Sequence, residues 1–532
     1  MIRKLLPKLR VIAWHLPALL LWASYPPQGE CMDCLVALAP LLWIARNSPP
    51  RKSAWLWFTN GLMFWVTTLA WMPAIVKNGG PLALVLLGWF ALGAYCALYF
   101  AAFGWLSSRF WAWAKDGAYW RRLVALVFAE PVLWAGLEIV RSRLFGGFSW
   151  NQLGVCAVNA GFGAPASLGG VYLASALVVL VNGTMASIVE RMFVRAGGRG
   201  AAGGVPAFAR SVETFLPLAI VWGFFRIAGT AAVDDSPRHA LSVGLVQRNF
   251  PCVFDRERAQ NEDPVQIYKE LFGNISVFSP DLVVLSESAL AEFGPIDSYR
   301  AGLFARFAFE QTGARGLLAG GGRASDGKEY NSAALFVPGG NPQIYDKVHL
   351  VPFGEYIPFD KTFTILQRLA PIGSCTPGTL RLLDFEGVKI GTAICFEDTD
   401  SAQMRRLAKM GAQLLVFITN DTWFAYSDEA EQHAWQCIAR AVETGLPVVR
   451  VGNSGVTGIV YPDGKASWLR NAEGKNLVDA RGTMFERILT GRGLDEDGAP
   501  RGLTAYCRLG DAPLFLAFVV FAAAAVFCRP GN

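Results

Sequence analysis

Apolar positions follow two different patterns along this chain. Before about residue 230 they form blocks near 10–24, 32–46, 54–75, 82–106, 122–141, 167–190 and 213–230, and one more block lies near 513–528. A helix crossing a bilayer needs about 20 predominantly apolar residues, so these blocks predict eight transmembrane helices, of which the first two are short. Between about 240 and 510 the pattern changes to runs of four to six apolar residues, as in "LSVGLVQ", "DLVVLSES", "GLLAGGG", "NSAALFVP", "VKIGTAICF", "AQLLVFITN", "LPVVRVGN" and "GVTGIVYPDG". Such runs, separated by helix-length segments or hairpin turns, predict an α/β sheet packed between helices. "YDKVHLVPFGEYIP" interrupts them with Pro and Gly and reads as a loop, the kind of segment on which a rigid sheet usually carries its chemistry. The chain thus divides into a transmembrane helical domain over 1–230, a soluble domain over 231–510 and a last helix with its tail over 511–532.

Composition agrees. Of 532 residues, 53% are hydrophobic and 17% charged, whereas water-soluble proteins carry about a quarter charged residues. The net charge of +6 says less than its placement. Basic residues gather at Arg3, Lys4, Lys8 and Arg10, at Arg46, Arg51 and Lys52, at Arg109, Lys115, Arg121 and Arg122, and at Arg191, Arg195, Arg199 and Arg210. The intervening loops offer only Lys77, and Arg141 with Arg143. Because Lys and Arg collect on the cytoplasmic side, the alternation predicts a cytoplasmic N-terminus, an outward-facing 231–510 block and a cytoplasmic tail at Arg529. "WASYPPQGE" is a poor small-residue cleavage site, so the first apolar block is expected to be a helix and not a signal peptide. Basic residues in cytoplasmic loops, without a groove of interleaved aromatics, exclude nucleic acid as a partner.

Glu130, Glu138 and Arg141 fall within or at the edge of the fifth block. Charges at such depth face a bundle interior or a cavity, either as a mutual ion pair that fixes helix packing or as the lining of a lipid headgroup pocket. "FGGFSWNQLG" fits an interfacial loop. Ten Cys without a repeated spacing argue against a disulfide framework or a zinc ribbon, and the lone CxxC, Cys31 with Cys34, has neither a second pair nor a βαβ context.

The chemistry centres on "KIGTAICFED", where an apolar strand runs into Cys395 with two acids close behind. A nucleophile at a strand end is exposed by the turn that follows, and the next backbone N–H can bind an oxyanion. A thiol is mostly protonated near neutrality, its ordinary pKa being about 8.5, so it needs a base and a neighbouring cation. Of four histidines, His15 lies in the first block and His239 at the domain entrance, which leaves His349 or His433 for a Cys–His pair. The rival base is Glu287, just past the strand in "VVLSES", where desolvation would raise its pKa; Lys347 in "YDKVHL" can supply the positive charge.

Glu287, Lys347 and Cys395 in these contexts resemble the Glu–Lys–Cys triad of the nitrilase superfamily. With the membrane block in front, and with "YDKVHLVPFGEYIP", "ICFED", "FITNDTWF" and "QHAWQCIARAVETGLPVVRVGNSGVTGIV", the whole chain resembles the apolipoprotein N-acyltransferase family. The resemblance implies a helical membrane bundle of about eight spans carrying an extracytoplasmic nitrilase-like α-β-β-α sandwich, in the inner membrane with the catalytic domain facing the periplasm. It implies ping-pong acyl transfer from a phospholipid, through a Cys395 thioester, to the N-terminal amine of a diacylglyceryl-cysteine apolipoprotein. Glu287 would be the base, and Lys347 with the N–H of Phe396 would hold the oxyanion. Glu355 would orient Lys347, Glu397 would hold the lysine or the incoming amine, and Trp423 would wall the acyl cleft. No metal or cofactor is implied, and a monomer is expected. One departure is Ser286, where the family often has Pro, which could loosen the backbone of Glu287.

Taken singly, each triad residue has a bland reading: a buried structural thiol, a strand-end surface acid, a solvated lysine. Their joint placement carries the functional one. Cys437, His433 and Trp435 in "QHAWQCIARAVE" read as helix core, Cys252 and Cys375 have no assignment, and Pro358 to Gly373 is expected to form a mobile lid. Two other functions compete. A membrane-tethered amidase would use the same triad with water as acceptor, yet one anchor would suffice for it. A transporter or receptor with an inert nitrilase-like domain would be expected to have lost a triad residue.

Overall fold

The computed structural model describes residues 14–115, 118–196, 207–230, 239–251, 260–357, 375–424, 427–491, 494–495 and 497–527. The Pro358 to Gly373 segment and Cys252 lie outside them. The chain forms two compact units: Met1–Pro73 with Gly80–Ala231 and Leu509–Asn532, and Ala74–Gly79 with Ala232–Arg508.

In the first unit, among the described residues, four helices are long and apolar enough to cross a membrane: Leu82–Lys115, Tyr119–Arg141, Ala166–Met192 and Ser211–Gly229. Trp14–Ala23, Leu153–Phe162 and Ala512–Phe527 are shorter apolar helices. The block at 32–46 is not one helix. It breaks into a 3-10 turn Cys31–Asp33 and helices Cys34–Ala37 and Ala39–Arg46, the last with Pro40 in its first turn, where a missing N–H costs nothing. The block at 54–75 is a helix only over Pro50–Thr68, and the chain then re-forms as a 3-10 helix Met72–Asn78.

Glu130 pairs not with Arg141 but with Arg46, at 2.6 Å, and also accepts from Ser107 (3.0 Å) and Trp111 (2.7 Å). All are buried, so this acid fastens three helices together. Glu138 accepts from Trp134 (2.9 Å) and the Leu153 N–H (2.8 Å), while Arg141 donates to the carbonyls of Phe148 (2.8 Å) and Trp150 (2.9 Å). These two line a cavity with Tyr25, Tyr99, Trp65 and Asn151.

Among the described residues the second unit contains twelve strands: β1 Ala240–Gln247, β2 Leu282–Leu285, β3 Gly316–Ser325, β4 Lys328–Phe336, β5 Gln343–Asp346, β6 Leu382–Phe385, β7 Val388–Ile394, β8 Leu414–Thr419, β9 Val448–Gly452, β10 Gly458–Val460, β11 Ala466–Trp468 and β12 Gly482–Leu489. They form two six-stranded sheets, ordered β12-β1-β2-β3-β4-β5 and β11-β10-β9-β8-β7-β6. Each has a parallel centre, β1-β2-β3 in one and β7-β8-β9 in the other, with antiparallel strands outside it.

The period-2 alternation of side chains explains the layering. Leu282 and Val284 of β2 join Leu245, Leu318, Ile394 and Ile418 in the core between the sheets, while Val283 and Leu285 face the helices Pro264–Ser276 and Tyr299–Thr312. Ser401–Lys409 and Glu429–Thr444 pack against the second sheet. Central strands are therefore buried on both faces, and β2 and β8 read as unbroken apolar runs. The result is the expected α-β-β-α sandwich.

Candidate active site

The triad residues lie just beyond strand ends. Glu287 follows β2, Lys347 follows β5 and Cys395 follows β7. The backbone at Glu287 is held by β3: Gly320 donates its N–H to the Ser286 carbonyl (3.2 Å) and accepts from the Leu290 N–H (2.9 Å). A Cβ on Gly320 would stand 2.6 Å from Glu287 Cα, so only glycine permits this approach. The neighbouring Ser286 is thus anchored through its carbonyl.

Lys347 Nζ lies 3.0 Å from Glu355 Oε1 and 3.9 Å from Glu287 Oε1. Asn331, on β4, joins the two acids: its Nδ2 donates to Glu287 Oε1 and to Glu355 Oε1, each at 2.7 Å. The Asn331 carbonyl also accepts the Lys347 N–H at 2.8 Å, and Val351 N–H fixes the second oxygen of Glu355 at 2.8 Å. Glu355 therefore pairs with the lysine, and Asn331 bridges the two acids.

Charge within this cluster is set by burial. Burial pushes the Glu287 carboxyl up; Lys347 pulls it back, and Glu355 raises it again. For Lys347 burial disfavours the charge, but Glu355 and Glu287 outweigh it and hold the ammonium above its ordinary value. The Cys395 thiol is pushed well up, by burial first and then by Glu287, with Lys347 opposing. Burial thus raises the proton affinity of both the Cys395 thiol and the Glu287 carboxyl, while the acids favour the charged form of Lys347.

Cys395 has φ +54, a left-handed conformation that costs a non-glycine residue about 1–3 kcal/mol. It opens a 3-10 turn, Cys395–Thr399. Phe396 is next in that turn, its ring edge-on to His349 with centroids 5.6 Å apart. Both oxygens of Glu397 bond to neighbouring groups of the fold. Its Oε1 accepts from Tyr345 OH (2.9 Å), Val348 N–H (2.8 Å) and His349 N–H (3.0 Å), and its Oε2 from Tyr345 OH (3.0 Å) and Ile394 N–H (2.8 Å). The turn directs the carboxylate inward, where it ties the lysine loop to the nucleophile turn. Trp423 lies in the 3-10 turn Asp421–Phe424 and is 41% exposed. Its carbonyl accepts from Asn78 at 2.7 Å, so the Ala74–Gly79 segment reaches this turn.

Beneath the nucleophile turn lies a buried charge network that the sequence pattern left as helix core. His433 places Nε2 3.0 Å from Asp398 and Nδ1 3.0 Å from Asp421. Arg450, from β9, bonds Asp398 and lies 3.5 Å from Asp421. Burial opposes charge on His433, but Asp398 and Asp421 overcome it and push its pKa up to about 10. An imidazolium with both nitrogens engaged cannot be the base of a Cys–His pair. His349 instead has its Nδ1 3.7 Å from Asp400. Asp421, Glu429 and His433 place one ligand atom each within 4.8 Å of one another, close enough for a metal ion, but here Arg450 and the His433 charge balance Asp398 and Asp421.

The chain thus joins a unit of long apolar helices to an α-β-β-α domain that carries Glu287, Lys347 and Cys395 at its strand ends. Residues 17–184 match the Apolipoprotein N-acyltransferase N-terminal domain and residues 311–481 the Carbon-nitrogen hydrolase domain. The chain is 32% identical over 461 residues to the apolipoprotein N-acyltransferase of Geobacter metallireducens, covering 84% of each chain. It is 30% identical over 509 residues to that of Nitrosomonas europaea, covering 90% of this chain and 89% of the relative. The chain belongs to the apolipoprotein N-acyltransferase family. An amidase from Nesterenkonia sp. overlays 53% of this chain and 98% of its own with 17% identity and a TM-score of 0.36.

Proposed function

We propose that this chain moves an acyl group from a membrane phospholipid to the N-terminal amine of a diacylglyceryl-cysteine apolipoprotein, through a thioester on Cys395. The observation that carries the reading is the buried arrangement of Glu287, Lys347 and Glu355 at 3.0–3.9 Å around one ammonium, which shifts the titration of a strained strand-end thiol. Glu287 takes the Cys395 proton as sulfur attacks the ester carbonyl. Lys347 and the Phe396 N–H stabilise the oxyanion. Collapse expels the lysophospholipid, whose oxygen takes the proton back from Glu287. The apolipoprotein amine then attacks the thioester, gives a proton to Glu287, and leaves as an amide while that proton returns to sulfur. A thioester is more reactive than the ester it came from and the amide is more stable than either, so transfer runs forward. Trp423 walls the acyl cleft.

Both substrates are lipid-anchored, which favours a transferase with many spans over a tethered hydrolase. The basic loops support eight crossings, a cytoplasmic N-terminus and tail, and a catalytic domain over 231–510 facing the periplasm from the inner membrane. A monomer suffices for the chemistry described. The test is mass spectrometry of the purified protein with phospholipid: an acyl adduct is expected on Cys395 and not in Cys395→Ala, and an adduct surviving in that variant refutes the assignment. Adding a diacylated lipopeptide should yield the triacylated product, whereas free fatty acid alone would make the protein a hydrolase.

A further inference from the structure

Three thiols outside the catalytic unit converge on one point. Cys156, in the helix Leu153–Ala157, is buried and directs Sγ to the carbonyls of Ser24 (3.1 Å) and Cys31 (3.3 Å). The thiols of Cys31 and Cys34 lie beside it. Cys31 is half-buried in a 3-10 turn, Cys34 is buried at the start of the next helix, and all three are free thiols. The isolated CxxC of the sequence thus acquires a third member from 122 residues along the chain.

We propose that Cys31, Cys34 and Cys156 form a thiol–disulfide exchange site, in which Cys156 closes a disulfide with Cys31 and can pass it to Cys34. The entry point is Cys31, the thiol with solvent access. Its thiolate attacks a small-molecule disulfide, RSSR, forming Cys31–SR and releasing RS⁻, which takes up the proton Cys31 lost. Cys156 then attacks the Cys31 sulfur and expels the second RS⁻, which takes up the Cys156 proton. Two thiols are oxidised and one RSSR becomes two RSH. Attack by Cys34 on the Cys156 sulfur would move the link and free Cys31. With Cys156 Sγ 3.3 Å from the Cys31 carbonyl, side-chain rotation is the motion that would bring the sulfurs to the S–S bond length of about 2.05 Å, and access favours Cys31 as the first to react.

The link would bind the turn after the first helix to the chain that follows "FGGFSWNQLG". Tyr25 OH already donates to the Asn151 (3.3 Å) and Gln152 (3.1 Å) carbonyls, and Tyr25, Asn151 and Leu153 line the cavity of Glu138 and Arg141. The disulfide would clamp one wall of that cavity. This inference stands apart from the acyl-transfer reading, since neither its residues nor its test involve Cys395.

The experiment oxidises the full-length protein in detergent with glutathione disulfide, alkylates it after denaturation and maps peptides by mass spectrometry. Alkylatable thiols among the three should fall from three to one, with a Cys31–Cys156 cross-linked peptide that reductant removes. Cys31→Ser should carry the Cys34–Cys156 link on oxidation with diamide, and Cys156→Ser should lose every cross-link to this helix. Three thiols that stay alkylatable, or a Cys31–Cys34 link alone in the unsubstituted protein, overturn the proposal. So does protection that a chelator reverses, which would mark a metal site.

Discussion

The Asn331 amide donates to Glu287 Oε1 at 2.7 Å. The bond favours the charged carboxylate and fixes where its oxygen points, so Asn331 serves the proposed base from β4, two strands away from β2. Hydrogen bonds to charged groups contribute about 1.5–3 kcal/mol, or about 10–100-fold in rate. Asn331→Leu is therefore expected to slow acylation of Cys395 by about that factor and to shift the acidic limb of its pH profile upward. Single-turnover acylation by phospholipid, followed by mass spectrometry across pH, measures both. An unchanged limb would show that Asn331 only packs.

Glu355 and Lys347 pull the titration of Glu287 in opposite directions. In the proposed mechanism acylation needs Glu287 ionised, so its rate should rise with pH through a midpoint above the ordinary glutamate value of about 4.3. Removing the Glu355 charge, as in Glu355→Gln, should move that midpoint down. Lys347→Met should move it up and also cost about 10²–10³ in rate through the lost oxyanion partner. Limbs that shift in the same direction in both variants would contradict this electrostatic account.

The limits of the sequence follow from direction and distance. Glu287, Lys347 and Cys395 were legible because each interrupts or ends an apolar run, where a polar side chain must be explained. Asn331 opens such a run, and Gly320 lies inside one; their partners sit on other strands, so no local pattern exposes them. Arg450, flanked by valines in "LPVVRVGN", was a usable signal, since an arginine inside a buried strand must have an anionic partner. The bonds of Glu397 were not legible, because its place two residues from Cys395 is a statement about sequence, while the 3-10 turn sends its carboxylate to the Ile394 and Val348 N–H groups. The 32–46 block looked like one continuous helix because hydropathy ignores where Pro40 starts a new one.

Gly320→Ala tests how tightly the base is seated. Its Cβ would meet the Glu287 and Ser288 backbone at 2.6 and 2.8 Å, atoms that cannot swing aside as a side-chain end can. Overpacking of this kind costs about 1–3 kcal/mol, and relief would come by moving Glu287 away from Asn331. Acylation should fall sharply while the protein still folds, as judged by thermal melting. Gly322, on the same strand with no atom near its would-be Cβ, is the control: Gly322→Ala should leave acylation unchanged.

His433 gives the network beneath the nucleophile a pH signature. Its folded-state pKa is raised, to about 10, against about 6.5 for an ordinary histidine. The stability this provides is fully present below about pH 6.5 and is lost as pH rises through the folded value. The melting temperature should therefore decline between those limits. In His433→Gln the imidazolium is gone, Asp398 and Asp421 keep only Arg450 as a cationic partner, and breaking such a buried set costs about 3–5 kcal/mol at neutral pH. That variant should melt lower at pH 7 and lose most of the alkaline decline, so the two proteins should converge near pH 10. Parallel melting curves across this range would mean that His433 is neutral in the folded protein, and the base excluded above would return to contention.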